Sequence, residues 1–90
     1  MVRTKVTVLN DAGLHARPAS ELVKIASRYS CDFFIHLHGY RVNGKSILGV
    51  LTLAADKDTE LELEFKGDDE EEAKEAITEL FENRFKVAYK

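Results

Sequence analysis

Polar and apolar positions alternate along the first residues. Val2, Thr4, Val6 and Val8 share one side and Arg3, Lys5 and Thr7 the other, which predicts a half-buried strand. Asn10-Asp11-Ala12-Gly13 is turn chemistry and closes it. Beyond that turn the period changes. Ala19, Leu22, Val23 and Ala26 recur at i, i+3, i+4 and i+7, the spacing of an amphipathic helix, which is expected from about Ala16 to Tyr29. Pro18 suits its first turn, where a missing N–H has no intrahelical partner.

Alternation returns at Cys31, Phe33, Ile35 and Leu37, set against Asp32, Phe34, His36 and His38. Gly39 turns this second strand into a third, Tyr40-Arg41-Val42-Asn43, to make a hairpin. Gly44-Lys45-Ser46 ends that strand, and Ser46 is a good N-cap for a short helix from Ile47 to about Leu53. After the turn Asp56-Lys57-Asp58, Leu61, Leu63 and Phe65 alternate with Glu60, Glu62, Glu64 and Lys66 in the chain's cleanest strand. Gly67-Asp68-Asp69 then caps a last helix with Ala73, Ala76, Ile77, Leu80 and Phe81 as its buried stripe. Asp69 and Glu72 have the spacing of a capping box. From Arg84 to Lys90 no period is visible, and no element is assigned.

The order β-α-β-β-α-β-α, with one apolar face on strands one, two and four, is most economically packed as a single sheet with helices on that face. The fold class is α+β, an open-faced sandwich. Another strand between the first two strands would remove any need to pair them in parallel.

Ninety residues are expected to form one domain, 1–90, on one core. The 44% hydrophobic and 32% charged fractions describe an ordinary globule, and no run reaches the ~18 apolar residues of a membrane span. The N-terminus enters the first strand without the apolar stretch of a signal peptide, and one cysteine fits a reducing cytoplasm, the expected location. A net charge of −3 argues against general nucleic-acid binding. The charge is uneven. Arg3, Lys5, Arg17, Lys24, Arg28, Arg41 and Lys45 make the first half mildly basic, which favours an acidic or phosphorylated partner.

This distribution draws attention to Gly13-Leu14-His15-Ala16-Arg17-Pro18-Ala19. His15 stands at or just before a helix N-terminus, whose free N–H groups and positive dipole end suit an anion. Arg17 adds a guanidinium whose fork matches phosphate oxygens. Imidazole is a nucleophile that can take a phosphoryl group and pass it on. Phosphate capture without covalent chemistry, or a surface histidine without a role, would use the same residues. Ser46 is first a helix cap. Phosphorylation there would add negative charge where a helix dipole tolerates it, with Lys45 placed to offset part of it. The short helix is apolar almost all round, through Ile47, Leu48, Val50, Leu51, Leu53 and Ala54. It is either fully buried or exposes Leu48 and Leu51 as a docking patch, the reading favoured for a surface helix. His36 and His38, at i and i+2, lack an evident third metal ligand and read as a solvated strand face. Cys31 reads as a small core residue. No Walker loop, CxxC pair or hydrolase triad occurs, and neither cofactor nor metal is expected.

The histidine motif, together with Val42-Asn43-Gly44-Lys45-Ser46-Ile47-Leu48-Gly49-Val50-Leu51 at its distance, resembles the HPr family of the bacterial phosphotransferase system along nearly the whole chain. The resemblance implies a four-stranded antiparallel sheet covered on one side by three helices. It implies that His15 receives a phosphoryl group on Nδ1 from enzyme I, itself charged by phosphoenolpyruvate, and passes it to the A domain of a sugar-specific enzyme II. The protein would be a monomeric stoichiometric carrier, not an enzyme. Arg17 matches the family's phosphate-contacting arginine, with Ala16 and Pro18 supporting the same site. Leu14, Lys24, Ile47, Leu48 and Leu51 are expected in the partner-facing set. Ser46 matches the site of an HPr kinase/phosphorylase, whose product slows the relay and assists a catabolite-control transcription factor. Leu48 and Leu51 stand where methionine or phenylalanine is frequent in the family, and the basic, aromatic tail is longer than usual.

Two other classes of function compete. A regulatory module acting through Ser46 phosphorylation alone would have no need of His15. A small-molecule or RNA-binding α+β domain would fit poorly with the acidic balance and the lack of an aromatic platform.

Overall fold

The computed structural model describes residues 1–85. Its elements are β1 (Val2–Thr7), α1 (Ala16–Ala26), β2 (Asp32–Leu37), β3 (Tyr40–Asn43), α2 (Ile47–Thr52), β4 (Glu60–Lys66) and α3 (Glu70–Glu82). The four strands form one antiparallel sheet in the order β1-β4-β2-β3. The last strand in sequence therefore lies between the first two, so β1 and β2 never pair. Val2 faces Phe65 and Val6 faces Leu61 across β1 and β4, while Phe33 faces Phe65 and Ile35 faces Leu63 across β2 and β4. These registers put every apolar set on one side.

That side is the core. Leu61, Leu63, Phe65, Ile35, Leu22, Val50 and Ile77 are fully buried, so all three helices contribute to it. Phe33 and Phe65 stack with centroids 4.8 Å apart. Gly44 packs against Phe33: a Cβ there would lie 2.2 Å from its ring, so only glycine fits. Cys31 is buried, and burial pushes its thiol up from the usual value.

Several local features differ from the expectation, each for an identifiable reason. α1 stops at Ala26 instead of Tyr29, because Arg28 and Tyr29 donate to Ile25 and Ala26 in three-residue turns that tighten the end. His38 leaves the strand. With Gly39 it makes a two-residue hairpin loop, both at positive φ (51° and 82°), which matches the twist of the flanking strands. His36 is not simply solvated, since its Nε2 lies 2.7 Å from Glu64 Oε1 across the outer face. That bond, helped by Arg3, holds the Glu64 carboxyl below its ordinary range. Among the described residues no group of three or more His, Cys, Asp or Glu side chains gathers as a metal site. Arg84 and Phe85 follow α3 at positive φ, and the Phe85 ring meets Phe81 edge-on at 4.9 Å. The rest of the tail, 86–90, lies outside the described residues.

Asp69 corrects the capping-box expectation. It occupies the N-cap of α3, yet its side chain makes no bond to that helix. Its two oxygens accept from the amides of Ser30 at 2.8 Å and Cys31 at 2.9 Å. The α1–β2 connection is thereby tied to the start of α3. Glu70, not Glu72, reaches back, accepting from Gly67 N at 3.0 Å and pairing with the N-terminal amine at 3.2 Å. The Ser30 amide, then that of Cys31, holds the Asp69 carboxyl below its ordinary value; the Gly67 amide, then the terminal amine, does so for Glu70. Groups with lowered folded-state values contribute stability that is complete above the unfolded carboxylate range, ~4, and is lost as pH falls through the lowered values. Urea unfolding at a series of pH values should therefore show stability falling below about pH 4. In Asp69→Ala the protein should be less stable at neutral pH and the acid limb shallower. An unchanged acid limb would contradict this.

Candidate functional site

The chain between β1 and α1 is drawn tight before it reaches His15. Gly13 N donates to Asn10 O at 3.1 Å, and Asn10 Nδ2 donates back to Gly13 O at 2.6 Å. Gly13 sits at φ 75°, and a Cβ there would lie 2.5 Å from the Ala55 carbonyl oxygen, so the glycine is required twice over. Leu14 follows, its N–H donating to that same carbonyl at 2.8 Å. Its side chain is 3% exposed, which corrects its expected place in the partner-facing set: it anchors the loop in the core. Periodicity gave no sign of this, because Leu14 precedes the helical repeat.

His15 is the N-cap residue of α1, in extended conformation (φ −93°, ψ −166°), and its side chain makes no capping bond. The ring is exposed. The first intrahelical bond runs from Ala19 N to His15 O at 3.0 Å, so the N–H groups of Ala16 and Arg17 lie ahead of it, at the positive end of the helix. The first turn carries no acidic residue to compete for that potential. Ala16 and Arg17 are exposed, whereas Pro18 is buried. Proline has no N–H to offer an anion; it supports the site by fixing the backbone. Ala19 and Leu22, both fully buried, seat the helix on the core beneath.

The second motif runs from the end of β3 into α2, which packs against α1. Ser46 is its N-cap, with Oγ accepting from Gly49 N at 3.1 Å. The hydroxyl is half-buried and already has a structural role. The helix divides its apolar residues between core and solvent: Val50 is fully buried, Leu51 half-buried against the core, Ile47 39% exposed and Leu48 74% exposed. Lys24 is exposed in the last turn of α1. Lys45 is not directed at Ser46. Its Nζ donates to the Tyr29 carbonyl at 2.6 Å, just past the end of α1, which corrects the offsetting role expected for it. The positioning contribution of the Ala55 backbone was invisible in the sequence, since a carbonyl carries no residue signature.

Comparison with known proteins shows similarity along nearly the whole chain. A family model described as the PTS HPr component phosphorylation site matches residues 2–83. The phosphocarrier protein HPr of Treponema pallidum (strain Nichols) is 48% identical over 85 residues, 94% of this chain and 97% of the relative. The crystal structure of HPr-C-His from Thermoanaerobacter tengcongensis superposes with a TM-score of 0.93 at 36% identity, covering 99% of this chain and 100% of that one. Crh, the Bacillus subtilis catabolite-repression protein, crystallised as a swapped dimer, superposes less closely, with a TM-score of 0.76 at 39% identity over 97% of this chain and 100% of its own. Since the family match runs from β1 through α3 and takes in both motifs, the chain belongs to the HPr family, the phosphocarriers of the phosphotransferase system.

Proposed function

We propose that His15 is the residue through which this phosphocarrier works: it accepts a phosphoryl group from phospho-enzyme I and gives it to the A domain of a sugar-specific enzyme II. The observation that carries the reading is an exposed imidazole at an N-cap position whose helix it does not cap. In the transfer, the lone pair on Nδ1 attacks phosphorus while the bond from phosphorus to the donor breaks, and that electron pair leaves with the donor. The reverse sequence on enzyme II regenerates the free ring. Charge on the transferring oxygens is met by the Ala16 and Arg17 amides, fixed at the helix end before the donor arrives, and by the exposed Arg17 guanidinium. Ile47, Leu48 and Leu51 supply an apolar contact for either partner, and Lys24 a charge at its rim. The protein acts as one unit over 1–90, in the cytoplasm and as a monomer, consumed and regenerated stoichiometrically. Incubation with phosphoenolpyruvate and enzyme I should label the protein with acid-labile phosphate. His15→Ala should abolish the label, and Arg17→Ala should slow transfer on the order of 100-fold. Retained acid-labile phosphate in His15→Ala would contradict the assignment.

Ser46 carries a second, regulatory reading, in which an HPr kinase/phosphorylase modifies it and a catabolite-control transcription factor reads the result. Because Oγ already accepts from Gly49 N, modification acts on a capped helix end beside the docking surface, and its effect falls on partner binding more than on the fold. The capping role makes its own prediction. Ser46→Ala should cost about 1 kcal/mol of stability, and Ser46→Asp, which retains an N-cap acceptor, should cost much less. Denaturant midpoints of the three proteins test this, and equal losses in both variants would contradict it.

A further inference from the structure

The geometry points to Ala54 as a positioning residue for His15, acting through the carbonyl of Ala55; the inference rests on the phosphocarrier reading above. α2 ends at its C-cap Leu53 (φ −68°), and the next residue, Ala54, turns left-handed at φ 48°. Its N–H donates to Leu51 O at 3.1 Å, which closes the helix. Glycine is the usual occupant of such a closing position, and a residue with a Cβ adopts the conformation only where the surroundings hold it there.

What the turn achieves is the direction of the next carbonyl. Ala55 is 4% exposed, and its oxygen accepts from Leu14 N at 2.8 Å, one residue before His15. There is no slack at this contact, since a Cβ on Gly13 would lie 2.5 Å from the same oxygen and 3.0 Å from Asp56 Cα. A second clasp holds the two segments together further out. Val8 N donates to Thr59 O at 2.9 Å and Asp58 N donates to Val8 O at 2.7 Å. Lys57 pairs with Asp11 at 3.1 Å across the same gap, although both side chains are largely exposed. The loop from α2 to β4 therefore grips the loop from β1 to α1, and the inner grip is the Ala55 carbonyl. If residue 54 left the left-handed region, that carbonyl would rotate. The Leu14 amide, in a buried residue, would lose its acceptor, and the His15 backbone its nearest fixed point. Phosphoryl transfer is sensitive to placement at this scale: a shift of about 1 Å away from productive geometry costs up to ~100-fold in rate.

The test uses the full chain with phosphoenolpyruvate and enzyme I, reading kcat and KM for this protein as acceptor and amide exchange at Leu14. In Ala54→Val, whose β-branch resists positive φ, kcat should fall about 10- to 100-fold with KM unchanged. Leu14 exchange should rise about tenfold or more. Ala54→Gly, which keeps the left-handed turn, should match the unsubstituted protein in both. Should Ala54→Val fail to fold, a semisynthetic chain with an ester in place of the Leu14 N–H deletes the same hydrogen bond and should show the same fall in kcat. Unimpaired kcat in the folded Ala54→Val or the ester chain, or a loss confined to KM, overturns the positioning claim while labelling of His15 in the unsubstituted protein leaves the phosphocarrier reading standing. If the unsubstituted protein takes no phosphate on His15, both fall.

Discussion

Strand β4 is the constraint on which the remainder rests. It is hydrogen-bonded to β1 on one side and β2 on the other, and its inward residues Leu61, Leu63 and Phe65 are wholly buried. Removing a side chain of this size from water is worth about 1.5–3 kcal/mol, and three in one strand form the apolar strip that the helices must cover. With all the helices contributing to that one face, the opposite face is left to Arg3, Glu62, Glu64 and His36, which satisfy each other across strands.

This arrangement also decides where His15 sits. The end of β1 and the start of β4 are neighbours, so the loops that follow β1 and precede β4 meet at one end of the sheet. There the chain from Asn10 to Leu14 is bonded to itself and to Ala55, and it leads to His15 at the head of α1. A carrier needs a nucleophile in the open, an anion-stabilising helix end behind it, and a surface both partners can use. In the proposed reading, exposed His15 at the head of α1 and exposed Leu48 on α2, which packs against α1, meet those needs with few residues.

Much of this was legible in the residues. The alternation of Leu61, Leu63 and Phe65 located β4 to the residue, the punctuation by Pro18 placed the start of α1, and Ser46 proved the cap that its position suggested. What escaped was set by partners distant in sequence. Asp69 has the local spacing of a capping residue, but amides 38 and 39 positions away compete for its carboxylate and win. Lys45 stands beside Ser46 in the chain, yet its ammonium finds the carbonyl of Tyr29. His36 alternates as a surface residue would, while its bond to Glu64 depends on β2 and β4 being adjacent, which no local pattern reveals. Leu14 was expected among the partner-facing residues, but it is buried, and its amide is bonded to the backbone of Ala55.

In the proposed relay, a phosphoryl group on His15 is held by the head of α1. The most direct measurement is the change in backbone amide resonances when the isotopically labelled protein is phosphorylated by phosphoenolpyruvate and a trace of enzyme I, with the phosphorus located through its coupling to ring nitrogen. Phosphorus is expected on Nδ1 of His15, with the largest amide shifts at Ala16 and Arg17 and little movement at buried sheet positions such as Leu63. Phosphorus on another residue, or Ala16 and Arg17 amides that stay where they were, would contradict it.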